Sequence, residues 1–496
     1  MKNQVQLITY VDRLGGGNLQ QLTQLLDGPL KGVFGGVHLL PFFDAIDGAD
    51  AGFDPTDHTQ VDPRLGNWDD VRALSDVVDV MADAIVNHMS SASPQFQDFG
   101  ARGDASPFAG LFLTMDSVFP HGAREQDLLS VYRPRPGLPF TALALGNGQK
   151  KMLWTTFTPQ QIDIDVQHPQ GQAYLTSILQ RFADNGIRMI RLDAAGYAIK
   201  KAGTSCFMLP ETFDFIDQFA KQAQGMGMEV LVEIHAYYQR QVEIAQRVDW
   251  VYDFALPPLV LNSIFFGNSR ALKDWVHIRP KNALTVLDTH DGIGIIDIGA
   301  DPADRAQSPG LLPPEQLDRL VERIHSNSQD QSRQATGAAA SNLDLYQVNC
   351  TFFDALGRNP RAYLLARAIQ LFMPGVPQIY YVGLLAGEND MELLARSGVG
   401  RDINRQRFSP GEITDALKKP VVKDLLDLIR LRNTCEAFNG AFDLLPSTDE
   451  TLHLVWTHAG ARAELFVDFR DLGYKLIVTD KHQDGLQDLR FSHSLT

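Results

Sequence analysis

The strongest constraint on this 496-residue chain is a rhythm: short apolar runs, each followed by a longer connection, recur eight times. The runs fall at residues 5–9, 36–40, 80–86, 187–192, 230–234, 250–252, 284–287 and 378–381. They are short and mostly continuous in apolar character, as parallel strands buried on both faces require. Between several of them, residues 19–26, 68–76, 172–183, 211–224 and 363–372 carry apolar side chains at helical spacing, the stripe of a helix packed on a sheet. Eight such units predict an α/β fold, a (β/α)8 barrel.

Two connections are too long to be simple loops. Residues 87–167 are rich in Pro, Gly and aromatic side chains, and residues 294–357 hold a polar helix near 315–325 and then a run of small residues. Long segments of this kind form subdomains or carry function. After the eighth strand, residues 452–456, 463–467 and 475–478 alternate as antiparallel strands do. The expected architecture is therefore a TIM barrel built from 1–86, 168–293 and 358–437. Subdomains 87–167 and 294–357 are inserted after strands three and seven, and a small C-terminal β domain spans 438–496.

Barrels of this kind do chemistry at the C-terminal ends of their strands. There the chain places Asn87 and His88, Arg191 and Asp193, Glu233 and His235, and His290 and Asp291, with Asp50 in the loop after the second strand. Arg191 and Asp193 are two apart and so share a strand face. Alone, that pair reads first as a buried ion pair satisfying itself; four polar strand ends in otherwise apolar strands do not read as packing. Asn87 and the histidines have no metal-ligand spacing, and no HExxH, paired CxxC, phosphate loop or GxSxG elbow is present. Two or three carboxylates converging on one pocket suit glycosyl transfer. One attacks the sugar carbon and another gives and takes a proton, and a separation of about 5–5.5 Å goes with retention. Arg191 is expected to hold Asp193 ionised, leaving Glu233 free to act as the acid.

Composition narrows the partners. A net charge of −16 argues against nucleic acid or an anionic membrane. Three widely separated cysteines, Cys206, Cys350 and Cys435, fit a reducing compartment, the N-terminus lacks a signal-peptide pattern, and no apolar run has membrane-spanning length. The expected location is the cytoplasm.

The same strand ends resemble the four signature regions of the α-amylase superfamily, glycoside hydrolase family 13: Asp83–His88, Ile190–Ala194, Leu231–His235 and Leu287–Asp291. Further runs at 6–10, 132–140, 203–208, 341–349, 374–378 and 400–405 are similar to the sucrose phosphorylases within that family, and the resemblance extends to about residue 433. It implies a hexosyltransferase that converts sucrose and phosphate reversibly to α-D-glucose 1-phosphate and D-fructose through a covalent glucosyl-enzyme. No cofactor and no metal are implied, and a homodimer is.

By matched position, Asp193 is implied to be the nucleophile, Glu233 the acid/base and Asp291 the transition-state stabiliser. Asp50, His88, Arg191, His290 and Arg401 are implied to grip the glucosyl unit, with Phe53 and Phe157 as apolar walls. Tyr132, Arg135, Tyr197, His235, Leu343, Asp344, Tyr346 and Gln347 are implied to form the acceptor side, where Arg135 would greet phosphate and Asp344 fructose. Without the resemblance, Arg133 and Arg135 read as a solvated basic turn. A relative acting on sucrose 6'-phosphate or glucosylglycerate ranks second, a plain hydrolase third, and a barrel without catalysis last, because all three carboxylates are present.

Overall fold

The computed structural model describes residues 1–47, 50–134, 137–302, 304–339 and 347–479, with the backbone alone at 337–339. Eight parallel strands close into a barrel: β1 (Gln6–Thr9), β2 (Gly36–Leu39), β3 (Asp79–Ile85), β4 (Ile187–Asp193), β5 (Glu229–Val232), β6 (Trp250–Asp253), β7 (Ala283–Thr285) and β8 (Val376–Tyr380). All eight coincide with the runs expected from sequence, within a few residues at each end. Almost every strand residue is buried, because helices cover the outside and side chains fill the inside. The helix Pro169–Asp184 shows how: Leu175, Ile178, Leu179 and Phe182 form its buried stripe, and Pro169 at its first turn removes an N–H that would lack a partner.

Register decides which side chains meet inside. β3 and β4 pair so that Asp83 lies directly opposite Arg191, and β4 and β5 pair Leu192 with Val232. One step beyond β5, the Glu233 N–H still donates to the Leu192 carbonyl at 3.3 Å, which ties Glu233 to β4 beside Asp193.

The connection after β3 carries the helix Pro94–Arg102, a hairpin of Phe140–Ala144 with Lys150–Trp154, and a two-stranded ribbon pairing His88–Ser90 with Gln161–Asp163. That ribbon returns Asp163 to the top of β3. The connection after β7 carries helices Pro314–Asn327 and Gln331–Ala339. Beyond the barrel, β9 (Ala441–Leu445), β10 (Thr451–His458), β11 (Ala461–Asp468) and β12 (Gly473–Thr479) form an antiparallel sheet. Its strand β11 alternates buried and open positions, unlike the barrel strands, as a strand covered on one face does. Trp456 anchors it by donating to the Phe372 carbonyl at 2.8 Å.

Candidate active site

The site is built on one guanidinium. Arg191 points into the barrel, almost wholly buried, where it donates to Asp83 across the β3–β4 register and to Asp193 Oδ1 at 2.9 Å. Its Nη2 lies 3.7 Å from Glu233 Oε1. Asp83 is also held by His38 at 3.0 Å, and the guanidinium and His38 overcome burial to keep its carboxyl down at about 2. Arg191 is thus fixed from below by a permanent anion, and its upper side meets the carboxylates of Asp193 and Glu233 together. Ala194 then takes a left-handed turn, φ 55°, so the chain leaves the strand abruptly and Asp193 is left facing the opening.

Burial pushes the Asp193 carboxyl well above its ordinary range, and the neighbouring Glu233 pushes the same way against the pull of Arg191. The expected ion pair is present, yet it does not dominate: desolvation and the second carboxylate outweigh one cation.

Asp291 is the opposite case. Arg401 stands 2.9 Å and Arg405 3.7 Å from its Oδ1, and although burial works against the charge, these cations hold the carboxyl far below its usual range. The same two arginines approach Asp50 at 3.9 and 3.7 Å. Arg405 also fixes the loop after β7 by donating to the His290 carbonyl at 2.9 Å. His290 is buried, stacked on Phe53 with ring centres 4.9 Å apart, and burial pushes its pKa down to about 3, so it faces the pocket as a neutral ring. Burial also lowers His88, whose Nε2 donates to the Phe53 carbonyl at 2.9 Å.

Beside this charged floor stands an aromatic shelf. Phe157 meets His88 and Tyr197 edge-on, Tyr197 packs on Phe207 at 4.7 Å, and Tyr132 stacks on Phe207 at 4.6 Å. Gly196 makes room, since a side chain there would come within 2.8 Å of the Phe207 ring. A second cation lies behind the shelf: Lys200 Nζ is buried in a cage of oxygens, 2.9 Å from Asn87 Oδ1 and 2.8 Å from Asp163 Oδ2, with the Tyr197 carbonyl completing it. It fastens the inserted ribbon to the end of β3 and the turn after β4.

Glu233, His235 and Asp291 bring one ligand atom each within 4.8 Å of one another, the spacing of a metal site. Arg401 already lies against Asp291 and Arg191 near Glu233, so an ion there would face two guanidinium groups. The donor set does not fit a resident metal.

Residues 9–251 match the family described as alpha amylase, catalytic domain. The chain is 62% identical over 469 residues to the sucrose phosphorylase of Agrobacterium vitis, spanning 95% of this chain and 96% of that one. It is 54% identical over 474 residues to the sucrose phosphorylase of Bifidobacterium adolescentis, spanning 95% and 94%. The chain belongs to the sucrose phosphorylase family. The crystal structure of a sucrose 6F-phosphate phosphorylase from Thermoanaerobacter thermosaccharolyticum superposes with a TM-score of 0.89 at 36% identity, covering 97% of this chain and 96% of that one.

Of the residues singled out from sequence, Asp50, Phe53, His88, Phe157, Asp193, Tyr197, Glu233, His235, His290, Asp291, Gln347 and Arg401 line one cavity at the C-terminal end of the barrel. Arg191 lies directly beneath it and Tyr132 stacks at its rim. Arg135, Leu343, Asp344 and Tyr346 lie outside the described residues. Sequence reasoning missed Phe207, Gln161 and Asn349 in the lining, and Arg405 behind it. Arg405 carried a signal only as the end of a matched run; Phe207 and Gln161 come from insertions and turns where no periodicity points inward.

Proposed function

We propose that this protein transfers the glucosyl unit of sucrose to inorganic phosphate with retention of configuration, as a sucrose phosphorylase. The observation that carries this reading is the meeting of Asp193 and Glu233 on one guanidinium, with the arginine-held Asp291 in the same cavity. In the first step Asp193 attacks the anomeric carbon, the glycosidic C–O bond breaks, and Glu233 gives its proton to the departing fructosyl oxygen. Arg191 is 2.9 Å from Asp193 but 3.7 Å from Glu233, which favours Asp193 as the anion when the pair's proton rests on Glu233. Asp291 remains ionised and faces the positive charge that grows on the sugar ring. In the second step a phosphate oxygen attacks the same carbon, Glu233 takes up the phosphate's proton, and the ester to Asp193 breaks to give α-glucose 1-phosphate.

The remaining assignments belong to the same reading. Asp50, His88, Arg191, His290 and Arg401, with Phe53 and Phe157, grip the glucosyl ring. Tyr132, Arg135, Tyr197, His235, Leu343, Asp344, Tyr346 and Gln347 receive fructose or phosphate in turn. Residues 87–167 and 294–357 act as inserted subdomains and 438–496 as a terminal domain. Cytoplasmic residence is supported by the three buried, widely separated cysteines, and a homodimer would cover the exposed Leu129 and Leu138 of the insertion. No helix among the described residues is long and apolar enough to cross a membrane.

Sucrose ranks ahead of sucrose 6'-phosphate because relatives named for the former stand at 62% and 54% identity and the 6F-phosphate relative at 36%. The test is incubation with sucrose, sucrose 6'-phosphate or glucosylglycerate, each with and without phosphate. The expected result is glucose 1-phosphate from sucrose and phosphate. Phosphate-independent release of glucose alone, or turnover of only one of the other two sugars, overturns the assignment.

A further inference from the structure

Asp297 is a wholly buried carboxylate that the scheme above does not use. It lies in the short turn Ile296–Ile298 after β7. Its Oδ2 is 3.0 Å from His235 Nδ1, and its Oδ1 accepts from Gln241 Nε2 at 2.9 Å. Among the described residues, no lysine or arginine forms an ion pair with it; His235 is its cationic partner. A buried carboxylate left without a positive partner is costly, so this pair stands or falls together.

The surroundings are shaped to keep it. The His235 ring is stacked on Phe254 with centres 3.8 Å apart, which fixes the plane of the imidazole. Gly294 leaves the gap that lets the pair close: a Cβ there would lie 2.1 Å from Asp297 Oδ2 and 3.4 Å from His235 Nδ1. With Nδ1 turned inward, Nε2 faces the cavity, 3.7 Å from Glu233 Oε1 and 3.3 Å from Gln347 Nε2. The Gln347 amide donates to a neutral ring or turns its oxygen towards a charged one.

We propose that Asp297 is a positioning residue for the transfer step: by accepting the Nδ1 proton of His235, it orients the imidazole and presents Nε2 as a proton-bearing donor to the anionic acceptor beside Glu233. A neutral sugar ring gains little from such a donor, whereas a phosphate gains a charge-assisted hydrogen bond. Asp297 thus biases the enzyme towards phosphate over water in the second step. The inference rests on the reading of the protein as a phosphorylase.

The titratable and charged groups facing His235 include Asp297 on the turn after β7, Glu233 on its own segment and Asp291 in the loop between β7 and that turn, and Arg401 donates to the Gln347 amide oxygen at 3.4 Å. Burial works against the charge on His235, and Asp297, together with Glu233 and Asp291, outweighs burial, so the ring titrates above an ordinary histidine. A raised value means that the imidazolium is present at lower pH and is lost as pH rises through it. The phosphate advantage should fade in that direction.

The experiment uses the full chain with Asp297→Asn and, as a second variant that keeps both groups but separates them, Gly294→Ala. Two measurements are made on each: sucrose phosphorolysis against sucrose hydrolysis, and the titration of His235 in substrate-free enzyme by NMR of ring-labelled histidine, its signal assigned from a His235→Asn sample. Asp297→Asn should raise the KM for phosphate about tenfold or more while hydrolysis changes much less. The His235 midpoint should move to lower pH, and Gly294→Ala should move both readouts the same way. Equal loss of phosphorolysis and hydrolysis, or an unmoved His235 midpoint, overturns the proposal. If Asp297→Asn does not fold, Gly294→Ala carries both measurements. If the wild-type enzyme makes no glucose 1-phosphate, the functional reading fails by itself, and an unmoved His235 midpoint still decides against the Asp297 pairing.

Discussion

The two halves of the cavity are made differently. The floor is a set of charges on or just beyond strands: Arg191 and Asp193 on β4, Glu233 past β5, and His290 and Asp291 past β7, held by Arg401 and Arg405. The opposite wall is a shelf of rings, Tyr132, Phe157, Tyr197 and Phe207, carried on loops and an insertion. Strand ends in a closed barrel are fixed by neighbours on both sides, so charges placed there keep their spacing. Loops can be exchanged without disturbing the barrel. On the proposed function, the division puts bond making on the rigid half and the choice of partner on the replaceable half.

Substitutions on the two sides should therefore fail in different ways. The largest effect is expected on the floor: Asp193→Asn should lower turnover by about 10⁴-fold or more, because the covalent route disappears, with folding unchanged by circular dichroism. A loss of only a few-fold would remove Asp193 from the centre. On the shelf, Phe207→Ala should act on the acceptor, raising the KM for fructose in the synthetic direction roughly tenfold while hydrolysis of glucose 1-phosphate changes little. A kcat defect common to all reactions would place Phe207 with the floor instead.

Lys200→Met tests the link between the halves. Removing the ammonium leaves Asp163 buried without its cation, a cost of about 3–5 kcal/mol that should appear as a clear fall in the melting temperature. An unchanged melting temperature would mean that the ribbon is held by other contacts.

The pH profile sharpens the comparison further. Burial and Glu233 raise Asp193, and activity needs that group ionised, so activity on sucrose is lost as pH falls through a value above the ordinary carboxylate range. An acid limb near about 4, where a free carboxylate titrates, contradicts this environment. The smallest effect is expected from chelation: prolonged dialysis against EDTA should leave activity unaltered, since Arg401 and Arg191 stand where a metal would be sought.

The floor was legible in the sequence for the same reason that it is rigid. A charged residue at the end of an apolar run stands out, and period-two spacing puts Arg191 and Asp193 on one face. Asp83 was equally readable, an acid within a buried strand, and its partner follows from the β3–β4 register. What could not be read was electrostatic balance. The sequence places Arg191 beside Asp193 but does not say how deeply both are buried, and burial reverses the expected direction for Asp193. Asp297 left no mark and Phe207 only a place in a matched run, since each sits in a short irregular segment whose orientation only the packed structure fixes.

One measurement bears most directly on the transfer scheme. The enzyme is mixed with sucrose in the absence of phosphate, quenched in acid and digested, and the peptide spanning β4 is weighed. The account predicts that this peptide gains one hexosyl unit on Asp193, and that phosphate added before the quench discharges it as α-glucose 1-phosphate. A peptide that stays unlabelled while the enzyme makes the β-anomer, or a label on another carboxylate, would contradict it.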